Sequence, residues 1–579
     1  MLFHRIKMFF LRDLIIFNLL TFIFLYLPPL NAHAGWKEDV GYIKLSDELG
    51  AALPDGTGIQ VCHVEAAVTV DDEYTWVPDP DNSAFIGKSL TDMTGAPDEV
   101  YSGHATSVGR LLYGDSTSMA SGVTDVLVYY AGHWMQGGYV LNGYSYQPLV
   151  TDCRLANHSW VGGAGSPEIL RRVDWAVDRD EYIQTVGVTN SSSSTRPLLS
   201  SAFNVIPVGR TDGSHSRVTS SVDDLYTGGR NLPDLVAPLT SSSGATPVVG
   251  SAALLLMNKG HNDAALSTDP VEASTTTRAG KIVFNAEKAE VIRAVLAAGA
   301  DRHTVNTTGS DISDYRLEVE NRTDNGLDIR YGAGQLNIYN SYNILAAGEQ
   351  NSSEDGGIQP SGFAGFDYDP SFGGANSSNS TATYLISTGS DHNLLTVALV
   401  WHVNIDGGTT YNFDDTAVLY DLDLEVYDQT TSETAAVSAS TGDNTEHIWV
   451  SLEPGHSYTI KVTRASGQNA FDWDYALAWR LNKDSDLDMI PDELDNCSMT
   501  ANRSQLDSDE DGYGNMCDCD LDNNDRVDAG DYWRWRLFAT IDPDSGYWDG
   551  SVDFNGNGAA DGGDYAIFLS RYGQTAPYE

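Results

Sequence analysis

Between residues 35 and 350 the sequence alternates short β-rich runs with longer stretches whose apolar residues recur at helical spacing. TDVLVYYA, DCRLANHSW, YIQTVGVT and NVIPVGRT read as strands, and SPEILRRVDWAVDRD and NAEKAEVIRAVLAAGA read as helices. Strand and helix in alternation leave few ways to bury both faces of each strand. The pattern therefore predicts an α/β domain over 35–350, built on a parallel central sheet covered on both faces. The polar, Gly-rich stretch that follows reads as a linker over 351–379. From 380 to 482 the texture changes to NLLTVALVWHV, YDLDLEVYD, HIWVSL and HSYTIKVTR, period-2 strands between turn residues. This predicts an all-β sandwich or jelly-roll domain. After Asn482 aspartate and asparagine dominate and apolar residues become scarce.

The first residues carry His4, Arg5, Lys7 and Arg12, then an apolar run, then the small-x-small site Ala32-His33-Ala34. That is the pattern of a secretory signal peptide over 1–34, so the chain is expected to start at Gly35 and to work as a secreted, extracellular or cell-surface protein. No later stretch approaches the roughly 20 apolar residues of a spanning helix, so no membrane span is expected after cleavage. Lys plus Arg number 33 against 81 Asp plus Glu, a formal charge of −48. Such a balance argues against nucleic-acid partners, which need cations for their phosphates, and suits a protein that binds hard cations. The five cysteines leave at least one thiol unpaired within the chain.

The acidic tail contains an internal repeat. DLDNNDRVDAGDYWRWRLF and DFNGNGAADGGDYAIFLSRYG place oxygen side chains at loop positions 1, 3, 5, 9 and 12. These are Asp520, Asp522, Asn524, Asp528 and Asp531 in the first copy, and Asp553, Asn555, Asn557, Asp561 and Asp564 in the second. The spacing is that of a loop wrapping Ca²⁺ in oxygens, with a backbone carbonyl at position 7 (Arg526, Ala559) and Gly wanted at position 6. Gly558 meets that last need and Asp525 does not.

Two such half-EF-hand loops, each followed by one helix, resemble a type I dockerin over 519–579. The resemblance implies a small α domain that needs calcium to fold and docks onto a cohesin-like partner. Upstream, DSDLDMIPDELDNCSMTANRSQLDSDEDGYGNMCD resembles a thrombospondin type 3 repeat over 483–518. The matching acids are Asp484, Asp486, Asp488, Asp492 and Asp495, then Asp507, Asp509, Asp511 and Asp518. With so little core, metal ligation is expected to supply the folding energy, and the resemblance implies a Cys497–Cys517 bridge.

One acid stands apart. GTGIQVCHVEAAVTV reads as a buried strand that ends on Glu65. Burying a carboxylate is costly unless a cationic or protonated group meets it. His104 lies between small residues at the start of a helix-like run, and Ser243 lies in a small-residue loop that enters an apolar helix. A serine at a helix entrance exposes its hydroxyl where backbone amides favour developing negative charge. Acid, histidine, serine in that chain order supplies a nucleophile, its base and the group that orients the base.

These residues resemble the peptidase S8 (subtilase) family. IQVCHVEAA matches its strand ending on the catalytic acid, HATSVGR its histidine motif and SSSGATPVVG its serine motif. ANHSWVGG resembles its substrate-lining strand, which implies substrate contacts at Ser159, Trp160 and Gly162; TVGVTN occupies the place of the oxyanion asparagine, which implies Asn190. The β domain resembles the C-terminal jelly-roll domain of some extracellular subtilases. Two departures stand out: Glu65 replaces the family aspartate, and Ser241-Ser242 replaces the Gly-Thr before the nucleophile. Asp71 or Asp72 as the orienting acid, and Ser241 or Ser242 as nucleophile, remain alternatives. The expected protein is thus a secreted serine endopeptidase acting on protein or peptide substrates, in which Glu65→Asp keeps or raises activity. The alternatives are an inactive peptide-binding scaffold and a carbohydrate-active extracellular protein.

Overall fold

Seven of the apolar runs pair into one sheet. They are β1 (Gln60–Glu65), β2 (Ser89–Asp92), β3 (Asp125–Tyr130), β4 (Cys153–His158), β5 (Ile183–Gly187), β6 (Ile206–Arg210) and β7 (Leu235–Ala237). Their order is β2-β3-β1-β4-β5-β6-β7 and every pairing is parallel. This is a computed structural model, and it describes residues 35–143, 145–162, 165–192, 198–312, 316, 319–354, 361–373, 380–389, 392–509 and 511–576. The signal-peptide reading over 1–34 lies outside them.

The helices follow from the same pattern: α1 (Gly103–Leu112), α2 (Pro167–Asp180), α3 (Ser242–Asn262), α4 (Ala289–Gly299) and α5 (Ile338–Ala346). Side chains alternate across a strand, so each strand feeds two cores. Val61, Val128, Leu155 and Ile206 join one core with Leu112 of α1, Val248 and Leu255 of α3 and Ile292 of α4. Cys62, Val64, Ala156 and Val186 join the other with Ile169, Val173 and Trp175 of α2. By this period His63 and Glu65 share the face of Val61, which α1 and α3 cover. On the opposite face Cys62 is bonded to Cys153 across neighbouring strands.

Strand order places the site. After β1 the chain builds β2 and β3 on one side, then crosses to β4 on the other. In open α/β sheets the crevice beyond the carboxyl ends at such a reversal is where ligands bind. Glu65 is the last residue of β1, and Val64 beside it is in register with His158 at the end of β4.

Two antiparallel four-stranded sheets follow, β8 (Ala364–Phe372), β9 (Thr381–Ser387), β10 (His392–Val400), β11 (Leu422–Asp428), β12 (Glu433–Ser438), β13 (Thr445–Ser451), β14 (Ser457–Arg464) and β15 (Trp473–Lys483). Their orders are β8-β15-β10-β13 and β9-β14-β11-β12, and Tyr384, Val397, Leu399, Leu424, Ile460 and Trp479 form the core between them. Strand β8 lies inside the stretch read as linker. Its Gly and Asp content hid it, and its Pro370 sits at a bulge where register with β15 shifts, a place where a missing N–H is tolerated. The first of these sheets packs on α4: Arg480 Nε donates to the Ala298 carbonyl at 3.1 Å.

The tail carries little regular structure besides α6 (Ala529–Phe538) and α7 (Gly562–Arg571). Its core is small, formed around Leu521, Val527, Val552, Phe554 and Phe568. Cys497 is bonded to Cys517, and Cys519 is the free thiol, buried. No helix among the described residues is long and apolar enough to cross a membrane.

Candidate active site

Glu65 is 1 % exposed, and both its oxygens are engaged. Oε2 stands 2.9 Å from Nδ1 of His104, and Oε1 stands 3.1 Å from Nε2 of His63. Burial pushes the Glu65 carboxyl up, but hydrogen bonds from His104 and His63 and their charge outweigh it and hold it below the ordinary carboxylate value. The hydrogen bond to Glu65 raises His104 above the ordinary imidazole value, against partial burial. An acid at the end of an apolar strand is tolerated here because two imidazoles meet it.

His63 carries no motif in the sequence. It is two residues before Glu65 on β1, hence on the same face, and it is fully buried. Its Nδ1 is 2.9 Å from the hydroxyl of Tyr113, which follows α1. Burial, reinforced by Glu65, raises the Tyr113 phenol well above its usual value, so Tyr113 is a proton donor. Tyr113 O–H to His63 Nδ1, and His63 Nε2–H to Glu65, satisfies each group. The period-2 signal that buried Glu65 held this residue as well.

His104 and Ser243 each occupy the second position of a helix. Ser102 caps α1 by accepting the Ala105 N–H at 3.1 Å, and Ser241 caps α3 by accepting the Gly244 N–H at 3.1 Å. The two helices pack closely: a Cβ on Gly250 would lie 2.9 Å from Leu112. Pro247 has no N–H for the Ser243 carbonyl one turn back, and this loosens the first turn around Ser243.

The three serines differ in their neighbours. Ser241 serves as the cap, and Ser242 donates its hydroxyl to the Val188 carbonyl. Ser243 is partly exposed, and its hydroxyl is 3.2 Å from that of Ser241. Among the described residues no hydrogen bond joins His104 to Ser243. Asn190 Oδ1 accepts the Ser242 N–H at 2.7 Å. With the amide so oriented, its Nδ2 and the Ser243 N–H are donors free of protein partners among the described residues. Asp71 and Asp72 occupy the exposed turn between short strands Val68–Val70 and Glu73–Thr75, so Glu65 and not they meets His104.

In the segment after β4 the side chains of Ser159 and Trp160 point into the protein. Ser159 and Trp160 are 3 % and 9 % exposed; Ser159 Oγ accepts from Asn157 Nδ2 at 2.9 Å, and the Trp160 ring lies edge-on to His158. Burial holds His158 down at about 3. Val161 and Gly162, which follow, are exposed.

No family model matches the chain, and no curated protein matches it. Among solved structures it is similar to patellamide maturation protease PatA, at 15 % identity over 51 % of this chain and 99 % of that one, TM-score 0.31. It is also similar to the PatG macrocyclase in complex with peptide, at 14 % identity over 55 % of this chain and 99 % of that one, TM-score 0.35. A cold adapted subtilisin-like serine proteinase is similar at 18 % identity over 45 % of this chain and 88 % of that one, TM-score 0.28.

The tail's acids converge in three places. Carboxylate oxygens of Asp484, Asp486 and Asp488, of Asp507, Asp509 and Asp511, and of Asp520, Asp522 and Asp531 each lie within 4.8 Å of one another. Burial and neighbouring aspartates push Asp486 up to about 7 and Asp509 up to about 6. The two repeat loops are wired alike. Asp531 accepts the Asp522 and Asp528 N–H groups, and Asp564 accepts those of Asn555 and Asp561. Asp520 and Asp553 accept the N–H groups of Asn524 and Asn557 at 3.1 Å in both copies. Asp528 and Asp561 double as caps of α6 and α7. At position 6, Gly558 has φ +88° and Asp525 has φ +66°, the left-handed turn the spacing calls for.

Proposed function

We propose that this chain is a secreted serine endopeptidase of the subtilisin type, with a Glu65–His104–Ser243 triad and a calcium-binding tail. The observation that carries the reading is the 2.9 Å contact of buried Glu65 with His104 Nδ1, at the strand-order reversal of the sheet. With Nδ1 committed to Glu65, Nε2 is the nitrogen left to act as base. The reading expects the Ser243 hydroxyl, 3.2 Å from that of Ser241, to meet that nitrogen in the substrate complex, since catalytic contacts commonly tighten only when substrate is bound.

In the reaction Ser243 Oγ attacks the scissile carbonyl carbon while its proton passes to His104 Nε2. Asn190 Nδ2 and the Ser243 N–H stabilise the oxyanion. The C–N bond then breaks, and the leaving amine takes the proton from His104. Water, deprotonated by the same imidazole, attacks the acyl carbon, the bond to Ser243 Oγ breaks, and the imidazolium returns the proton to Oγ. A peptide substrate would lie along the exposed segment at Val161 and Gly162.

Calcium is the group the tail supports best. All-oxygen donors, two loops that share most of their wiring and carboxylates crowded on one another suit a hard divalent ion. Asp520, Asp522, Asn524, Asp528, Asp531 and their counterparts from Asp553 to Asp564 would hold it in the loops, and Asp484, Asp486, Asp488, Asp507, Asp509 and Asp511 in the segment before them. Trp533 and Leu537, one turn apart on α6 and 65 % and 61 % exposed, support a protein-docking role for this end.

A second reading, a peptide-binding scaffold without catalysis, rests on the Ser243 hydroxyl being paired with Ser241 and not with His104. A fluorophosphonate probe separates the two. The endopeptidase reading expects labelling of the wild type and none of Ser243→Ala or His104→Ala. An unlabelled, folded wild type would leave the scaffold.

A further inference from the structure

The contact between the α/β domain and the β-sandwich buries a second group of ionisable side chains, remote from Ser243 in sequence and on other elements. Asp178 lies near the end of α2, Glu290 in the first turn of α4, and His402 just beyond β10. Nδ1 of His402 is 2.7 Å from Glu290 Oε1 and 3.4 Å from Asp178 Oδ1. One ligand atom from each of the three lies within 4.8 Å of the others. His402 and Glu290 are each 1 % exposed and Asp178 is 19 % exposed.

These contacts are at ion-pair distance, with angles outside good hydrogen-bond geometry. Among the described residues His402 Nε2 and Glu290 Oε2 meet no hydrogen-bond partner, and His402 Nδ1 has only these two carboxylates. Buried polar atoms are rarely left so. The imidazole is not placed by these contacts: the His402 carbonyl accepts from Trp473 Nε1 at 2.9 Å, and the next N–H, of Val403, donates to Asn204 Oδ1 at 3.0 Å. The nearby cation is spoken for, since Lys288 Nζ donates to Glu181 at 2.8 Å. Asp474 takes its hydrogen bond from the Tyr368 hydroxyl at 2.6 Å. Two carboxylates therefore converge on one largely buried imidazole, and a buried charge persists only when paired or ligated.

We propose that Asp178, Glu290 and His402 form a site for a divalent transition cation, zinc before others, that fastens the β-sandwich to the α/β domain. The donor set separates it from the all-oxygen groups of the tail. Imidazole with carboxylates suits zinc, three protein ligands leave a position for water, and calcium and magnesium prefer oxygen alone. No sequence motif announces it, because the ligands come from three elements spread over more than two hundred positions.

The test uses the full chain, stripped with chelator, then held in excess Ca²⁺ so that the tail is saturated. Equilibrium dialysis against Zn²⁺ should give about one tightly bound equivalent, and Co²⁺ in its place should give a visible d–d absorption band. His402→Ala should lose both. Asp178→Asn, at the more accessible rim, should weaken binding at least tenfold and carries the same test where His402→Ala disturbs folding. Zn²⁺ should raise the melting temperature of the wild type and not of the variants. A wild type that takes up no stoichiometric Zn²⁺, or variants that bind it as the wild type does, would overturn the proposal and leave a plain imidazolium–carboxylate pair.

Discussion

Glu65→Asp tests the site more sharply than removal of the acid. The family resemblance alone expects this change to keep or raise activity; the contacts of Glu65 predict a loss instead. Glu65 spans two imidazoles, Oε2 to His104 at 2.9 Å and Oε1 to His63 at 3.1 Å. Removing one methylene withdraws the carboxylate by about 1.5 Å, one carbon–carbon bond, so one contact opens past about 4 Å and ceases to be a hydrogen bond. His63 shares the strand with Glu65 and is held by Tyr113, whereas His104 comes from α1. The shortened acid therefore stays with His63, and His104 loses its orienting partner. A hydrogen bond to a charged group contributes about 1.5–3 kcal/mol, which converts to a loss of roughly 10- to 150-fold in rate. The assay is the second-order rate of fluorophosphonate labelling, repeated as kcat/KM on a peptide substrate, with a thermal melt to show that the variant is folded. A folded Glu65→Asp protein that reacts as fast as the wild type would refute the argument that His63 fixes the reach of the acid.

The rate should rise as pH climbs through the His104 value, since only the neutral ring accepts the Ser243 proton. The Glu65 hydrogen bond places that limb above the ordinary imidazole value, so Glu65→Gln should slow the reaction and shift the limb to lower pH; a limb that does not move would detach Glu65 from His104. Chelation of the full chain should strip amide-exchange protection from residues 484–576 and leave the seven-stranded sheet protected, and unchanged protection in the tail would count against calcium as its folding partner. Asp525 holds φ +66° where its counterpart is Gly558, so Asp525→Gly should tighten Ca²⁺ binding at the first loop by about 0.5–1 kcal/mol, roughly two- to fivefold by titration calorimetry; weaker binding would mean that the Asp525 side chain itself serves the ion.

What the sequence determined is what depends on local period and spacing. Alternation of strand and helix dictated the parallel sheet, because only a sheet covered on both faces buries such runs. Regular alternation exposed the sandwich strands, and matched oxygen spacing in two copies exposed the loops before any coordinates. Strand β8 escaped because Gly, Asp and Pro370 broke its pattern, and only pairing with β15 makes it a strand. The sequence also put Glu65, His104 and Ser243 in order, but order says nothing about distance. Tertiary structure alone brought Glu65 to His104, added His63 and Tyr113 behind it, turned Ser159 and Trp160 inward, and gathered Asp178, Glu290 and His402 across a domain contact. These depend on which elements become neighbours, and that is settled by the packing of whole faces rather than by any local run of residues.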